Sequence, residues 1–81
     1  MTTETANAEM SVLDATGLNC PLPILRTKKA IGGLASGTVL KVLTTDPGSV
    51  EDIASFCRQT GHELLSSRTA GGTFEFEIRR G

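Results

Sequence analysis

The chain has 81 residues, room for one small domain with a single core. Its hydrophobic fraction of 38% and charged fraction of 21% are ordinary for a folded globular chain and exclude a disordered or fibrous one. Eight basic residues against nine acidic ones leave a formal charge of -1, so the chain lacks the basic field that holds nucleic acid directly.

Residues 1–9 read as a polar, mobile tail ahead of a folded domain over 10–81. Met10 to Asp14 is a short apolar run that predicts a first strand, and Ala15 to Asn19 is a loop with Gly17 as its flexible point. From Pro21 the pattern is helical. Ile24, Thr27, Lys28, Ile31, Leu34 and Ala35 share one face at the helical period, and Pro21 and Pro23 both fall in the first turn, where a missing N–H is tolerated. Gly32-Gly33 loosens the last turn and Ser36-Gly37 ends it. Thr38 to Thr44, rich in β-branched and aliphatic residues between Gly37 and Asp46-Pro47, predicts a second strand. Asp46 then reads as an N-cap with Pro47 at the first helical position, and Glu51 and Asp52 as first-turn acids favoured by the helix dipole. Val50, Ile53, Ala54 and Cys57 form the apolar stripe of this second helix, which Thr60-Gly61 stops. Glu63 to Thr69 predicts a third strand, Ala70-Gly71-Gly72 a hairpin turn, and Thr73 to Arg79 a fourth strand. In the last, Phe74, Phe76 and Ile78 alternate with charged residues, the period of a half-buried sheet. The order βαβαββ predicts a two-layer α/β sandwich, a four-stranded mixed sheet with both helices on one face. The other sheet face is then a candidate contact surface.

No apolar run approaches the roughly 20 residues that cross a bilayer. The first basic residue is Arg26, so the amino end has no positively charged segment of a secretory signal, and a cytoplasmic, membrane-free setting is expected. With no Trp, no Tyr and three Phe, there is little aromatic surface to stack a large flat cofactor. Two cysteines and one histidine fall short of a four-ligand zinc site, so neither cofactor nor metal is expected.

Cys20 is the strongest candidate for chemistry. It stands at the N-cap or just before the first helix, where free N–H groups and the positive end of the helix dipole stabilise a sulfur anion. Its thiol is therefore expected to titrate below the ordinary value, with two prolines withdrawing donors and opposing the effect. The alternative reading is a small buried filler before a proline-initiated helix. No second thiol stands three residues on, which disfavours a dithiol oxidoreductase and suits a carrier that accepts a group and hands it on.

Cys57 lies on an apolar stripe and reads as structural, and its distance along the helix makes a Cys20–Cys57 bridge geometrically unfavourable. His62 follows the second helix, at the sheet edge opposite Cys20, which argues against a Cys–His dyad. Asp46 should lie at the same edge as Cys20, though capping is its first expected duty. Arg26, Lys28 and Lys29 form a basic patch one to two turns beyond Cys20, either a solvated face or a docking surface for an acidic partner, with Lys28 leaning toward the apolar stripe.

The run Leu13-Asp14-Ala15-Thr16-Gly17-Leu18-Asn19-Cys20-Pro21-Leu22-Pro23 resembles the amino-terminal signature of the TusA/SirA family of sulfur-carrier proteins, marked by Cys-Pro-x-Pro at the start of the first helix. Thr45-Asp46-Pro47-Gly48 and Phe56-Cys57-Arg58-Gln59-Thr60-Gly61-His62-Glu63-Leu64 are similar to the family's as well, so the likeness spans about residues 10 to 80. The resemblance implies a cytoplasmic sulfurtransferase that carries sulfane sulfur as a persulfide on Cys20, with Asn19, Pro21, Pro23 and Asp46 as supporting residues. It implies a cysteine desulfurase or rhodanese-like donor and downstream sulfur-carrier acceptors, toward thiolated tRNA, molybdenum cofactor or sulfur oxidation. A monomer is the expected state for a carrier that docks in several partners. Gly32-Gly33 departs from the family's continuous first helix. A regulatory or adaptor module that uses the fold only for binding, and a redox-sensing single thiol, are the alternatives.

Overall fold

The computed structural model describes residues 10–81; the tail expected over 1–9 lies outside the described residues. Six elements follow in the predicted order: β1 (Met10–Ala15), α1 (Leu22–Gly32), β2 (Val39–Thr44), α2 (Ser49–Thr60), β3 (Glu63–Ala70) and β4 (Thr73–Arg79). The four strands form one sheet in the spatial order β1-β2-β4-β3. β1 and β2 run parallel, whereas β4 is antiparallel to both β2 and β3. The closing hairpin therefore folds β4 into the sheet and leaves β3 at the edge.

Both helices bury residues against one sheet face. Ile31 of α1 and Ile53, Phe56 and Cys57 of α2 pack with Leu40 and Val42 of β2 and Phe76 and Ile78 of β4. The alternation anticipated for β4 places Phe76 and Ile78 inside, with Phe74 half-buried at the margin. The opposite face stays open and carries charged side chains. Lys41 and Glu75 pair across β2 and β4 at 3.7 Å, and Val12 is 64% exposed. The edge strand β3 has no buried residue and carries an irregularity between Leu64 and Ser66, a device that discourages pairing with another chain.

Two helix boundaries differ from expectation. α1 ends at Gly32, a turn earlier than the Ser36-Gly37 stop, because two successive glycines make helix continuation costly in backbone entropy. The Gly33 and Leu34 N–H groups instead close tight turns on Ala30 and Ile31 carbonyls, at 3.2 and 3.1 Å. Ala35 and Lys28, expected on the buried face, are exposed; Pro23, Thr27 and Ile31 are the residues α1 buries. α2 begins at Ser49, with Gly48 and not Asp46 at its N-cap, and Val50 points outward at 39% exposure. Its other end is as read: Gly61 takes φ +81° and donates to the Cys57 carbonyl at 3.1 Å, a left-handed cap that favours glycine.

Cys57 is buried and unpaired with Cys20, and burial pushes its thiol above the ordinary value. Replacing it with serine puts a hydroxyl in this apolar cluster. Cys57→Ser is expected to lower unfolding free energy by about 1–3 kcal/mol, the cost of an unsatisfied buried polar group. Denaturant unfolding with an unchanged slope checks it; a variant as stable as the parent would show that the site can satisfy the hydroxyl.

Candidate functional site

The parallel register aligns the carboxyl ends of β1 and β2, with Ala15 opposite Thr44. The two loops that follow, 16–21 and 45–48, therefore emerge side by side and are stitched together. Gly17, at φ +81°, donates its N–H to Thr45 Oγ1 at 2.8 Å, and Cys20 donates its N–H to Asp46 Oδ2 at 3.1 Å. A residue with a side chain would be strained at Gly17, so the loop's path toward Thr45 depends on glycine there.

Asp46 is free for this contact because its carbonyl, and not its carboxylate, starts α2. That carbonyl accepts the Ser49 N–H at 3.0 Å and the Ser49 hydroxyl at 2.7 Å. The Ser49 hydroxyl also meets the Thr44 hydroxyl, both residues being buried. Pro47-Gly48 thus forms a tight turn before the helix, and the expected N-cap role of the Asp46 side chain passes to no side chain at all. The half-buried Asp46 is left to hold the loop of Cys20.

Cys20 itself is exposed. It sits two residues before the first helical residue, Leu22, with Pro21 as the N-cap, and the Cys20–Pro21 peptide is cis. The Asn19 carbonyl accepts the Leu22 N–H at 2.8 Å, and the Pro21 carbonyl accepts the Leu25 N–H at 3.1 Å. Pro23 has no N–H and is buried, its carbonyl accepting the Thr27 hydroxyl at 2.8 Å. The helix start is therefore largely spent on its own loop.

Among the described residues Sγ makes one hydrogen bond, donating to Asp52 Oδ2 at 3.4 Å. This corrects the expected titration. The Cys20 thiol is raised above its ordinary value, chiefly by that hydrogen bond, then by desolvation and by the negative charges of Asp52 and Asp46. A carboxylate beside a thiol opposes a second negative charge more strongly than a helix start with few free donors assists it.

Asp52 is the residue that sequence reasoning missed as part of the site. Glu51 and Asp52 were equivalent first-turn acids by composition. They differ in helical phase: Asp52 is three residues after buried Ser49 and four before buried Phe56, so it stands at the margin of the packed face. Glu51 faces outward and pairs with Arg58 at 3.3 Å. Counting phase from a helix that starts at Ser49 would have singled out Asp52.

Arg26, Lys28 and Lys29 are all exposed and none is ion-paired among the described residues. Arg26 and Lys29 share a stripe with Leu22 and Leu25 at spacings of three, four and seven residues, beginning beside Cys20; Lys28 lies off that stripe. Leu22 and Leu25 are 43% and 50% exposed. His62 lies at the other end of the sheet, beside the Glu63–Arg79–Val39 pairing row. Its Nδ1 accepts the Gly81 N–H at 2.9 Å and its ring stands 5.4 Å from that of Phe56. It is a structural contact with no access to Cys20.

The Cys-Pro-Leu-Pro loop, its partner loop and all of the sheet but Met10 fall within a single match. The family model described as sulfurtransferase TusA matches residues 11–80. The chain belongs to the TusA family. A sulfur carrier protein TusA of Allochromatium vinosum is 57% identical over 68 residues, covering 84% of this chain and 90% of that protein. A putative sulfur carrier protein of Neisseria meningitidis is 52% identical over 67 residues, covering 83% and 90%. Among solved structures, the SirA-like protein from Desulfitobacterium hafniense superposes with a TM-score of 0.79 at 30% identity, covering 89% of this chain and 99% of that one. The TusA-family fold is thus the two-layer arrangement described above. None of the helices described in this TusA-family chain is long and apolar enough to cross a membrane.

Proposed function

We propose that this protein is a sulfur carrier that accepts sulfane sulfur as a persulfide on Cys20 and relays it to a thiol of an acceptor protein. The observation that carries the reading is the Cys20 sulfur, exposed and unbridged at the meeting of two stitched loops, in a chain of the TusA family. In loading, the Cys20 thiolate attacks the outer sulfur of a donor persulfide. A new S–S bond forms to Cys20, the donor's S–S bond breaks, and its electron pair leaves on the donor thiolate, which takes up the proton Cys20 has released. The sulfur moves without net oxidation, and unloading to an acceptor repeats the exchange in the other direction.

The loop contacts supply position, not acid–base chemistry. Asp46 holds the Cys20 backbone, Asn19 and Pro21 close the turn into α1, and buried Pro23 anchors that helix against the sheet. The donor is a protein with a persulfide at its own active site, of the cysteine desulfurase or rhodanese-like kind. The stripe of Leu22, Leu25, Arg26 and Lys29 beside the sulfur is the rim on which such a partner settles, an apolar centre with a basic border. Action as a monomer in the cytoplasm agrees with this use.

Incubation with cysteine plus a cysteine desulfurase, or with thiosulfate plus a rhodanese, tests the reading by intact mass. A gain of one sulfur atom that a reductant removes is expected. An unchanged mass, with donor binding intact, would favour an adaptor that uses the fold only as a surface.

A further inference from the structure

The contact between Cys20 and Asp52 runs against what a nucleophile needs. The Asp52 carboxylate stands 3.4 Å from Sγ, and Asp46 adds a second carboxylate through its hold on the Cys20 N–H. Neither acid is neutralised: among the described residues the ion pairs are Lys41–Glu75, Glu51–Arg58 and Glu63–Arg79. Among the described residues, the charged groups that act on the sulfur from the elements around it are Asp52 of α2 and Asp46 of the loop before it, and no cation there offsets them. Arg26, Lys28 and Lys29 lie further along α1, and Asp14 turns back to accept from the Thr16 N–H and hydroxyl at 3.0 and 2.6 Å.

We infer that Asp52 is a brake on Cys20, a positioning residue that holds the unloaded sulfur as a hydrogen-bonded thiol until a sulfur-donating partner brings a cationic side chain to the Asp46–Asp52 pair. The inference rests on the carrier reading of Cys20 and adds its regulation. A carrier thiol that idles as thiolate is open to stray oxidants and disulfides, because the thiolate is the reactive form. A carboxylate acceptor suppresses that form and at the same time fixes where the sulfur points. When a partner's lysine or arginine pairs with the carboxylate, the hydrogen bond is given up, the thiol ionises more readily, and attack on the donor persulfide follows as balanced above. The proton released goes to the departing donor thiolate, so no further reactant is needed.

The sign of the pH effect is fixed. With the folded-state thiol raised, the Cys20–Asp52 contact adds to stability below the ordinary thiol range and is lost as pH rises through the raised value. The reactivity of Cys20 correspondingly comes in at higher pH than that of a free cysteine peptide.

The experiment follows alkylation of the full chain by iodoacetamide as a function of pH, read by mass on the peptide that contains Cys20. Asp52→Asn keeps shape and removes charge. It is expected to shift the midpoint to lower pH and to speed alkylation at neutral pH about two- to fivefold, the range an exposed charge interaction supports. Asp46→Asn is expected to shift it less, since that carboxylate meets the backbone N–H. Exchange with two small disulfides, cationic cystamine and anionic dithiodiglycolate, gives a second readout that needs no variant. The wild-type chain is expected to react faster with cystamine, the preference shrinking at high salt and in Asp52→Asn. A midpoint that stays put or rises in folded Asp52→Asn, or no charge preference in the wild-type chain, overturns the brake. If Cys20 is still loaded by a donor in that case, the carrier reading stands alone; if it is never loaded, both fall.

Discussion

Replacing Phe76 with alanine is expected to cost about 3–5 kcal/mol of unfolding free energy, the range for removing a fully buried aromatic side chain. Phe76 has no exposed surface and lies on β4, which has strands on both sides, opposite Val42 of β2 and Ser67 of β3. Its ring belongs to the cluster in which α1 and α2 both bury residues, so the cavity left behind is lined by elements that cannot all close on it. For a domain of this size that loss is a large part of the total, since native chains hold only about 5–15 kcal/mol. Denaturant unfolding should show a much lower midpoint at an unchanged slope. A loss under about 1 kcal/mol would put Phe76 among ordinary surface substitutions and the core elsewhere.

That core was legible because alternation in β4 and the β-branched run of β2 are short-range signals, each set by which side of one strand meets the helices. Element order was legible for the same reason. Helix ends were not. Whether α1 stops at Gly32 or Gly37 depends on how much burial the last turn would gain, which the sequence alone does not state. By sequence Asp46 reads as a cap, because an acid before proline at a helix start usually is one. In the folded chain the Asp46 carbonyl accepts from the Ser49 N–H and hydroxyl, no side chain caps the helix, and the free Asp46 carboxylate reaches Cys20 across 26 residues. The thiol's titration departs from expectation for a related reason: a helix start is visible in sequence, whereas the approach of Asp52 from 32 residues away is a product of sheet register and helical phase.

The second large effect is on function. Cys20→Ser is expected to abolish sulfur loading, because a serine hydroxyl cannot form a persulfide, while leaving stability nearly unchanged. Cys20 is exposed and absent from the core, and serine can still donate its backbone N–H to Asp46. Surface substitutions of this kind usually stay within about 0.5 kcal/mol. A serine chain that accepted sulfur at the normal rate would remove Cys20 from the chemistry altogether.

The most direct measurement locates the sulfur atom itself. The chain is loaded from a desulfurase or rhodanese donor, alkylated to trap the persulfide, digested without reductant and mapped by mass. The extra sulfur is expected on the peptide containing Cys20, absent from the peptide containing buried Cys57, and released by reductant. Sulfur found on Cys57, or on neither cysteine under conditions where the donor turns over, would contradict the assignment of this chain as a carrier acting through Cys20.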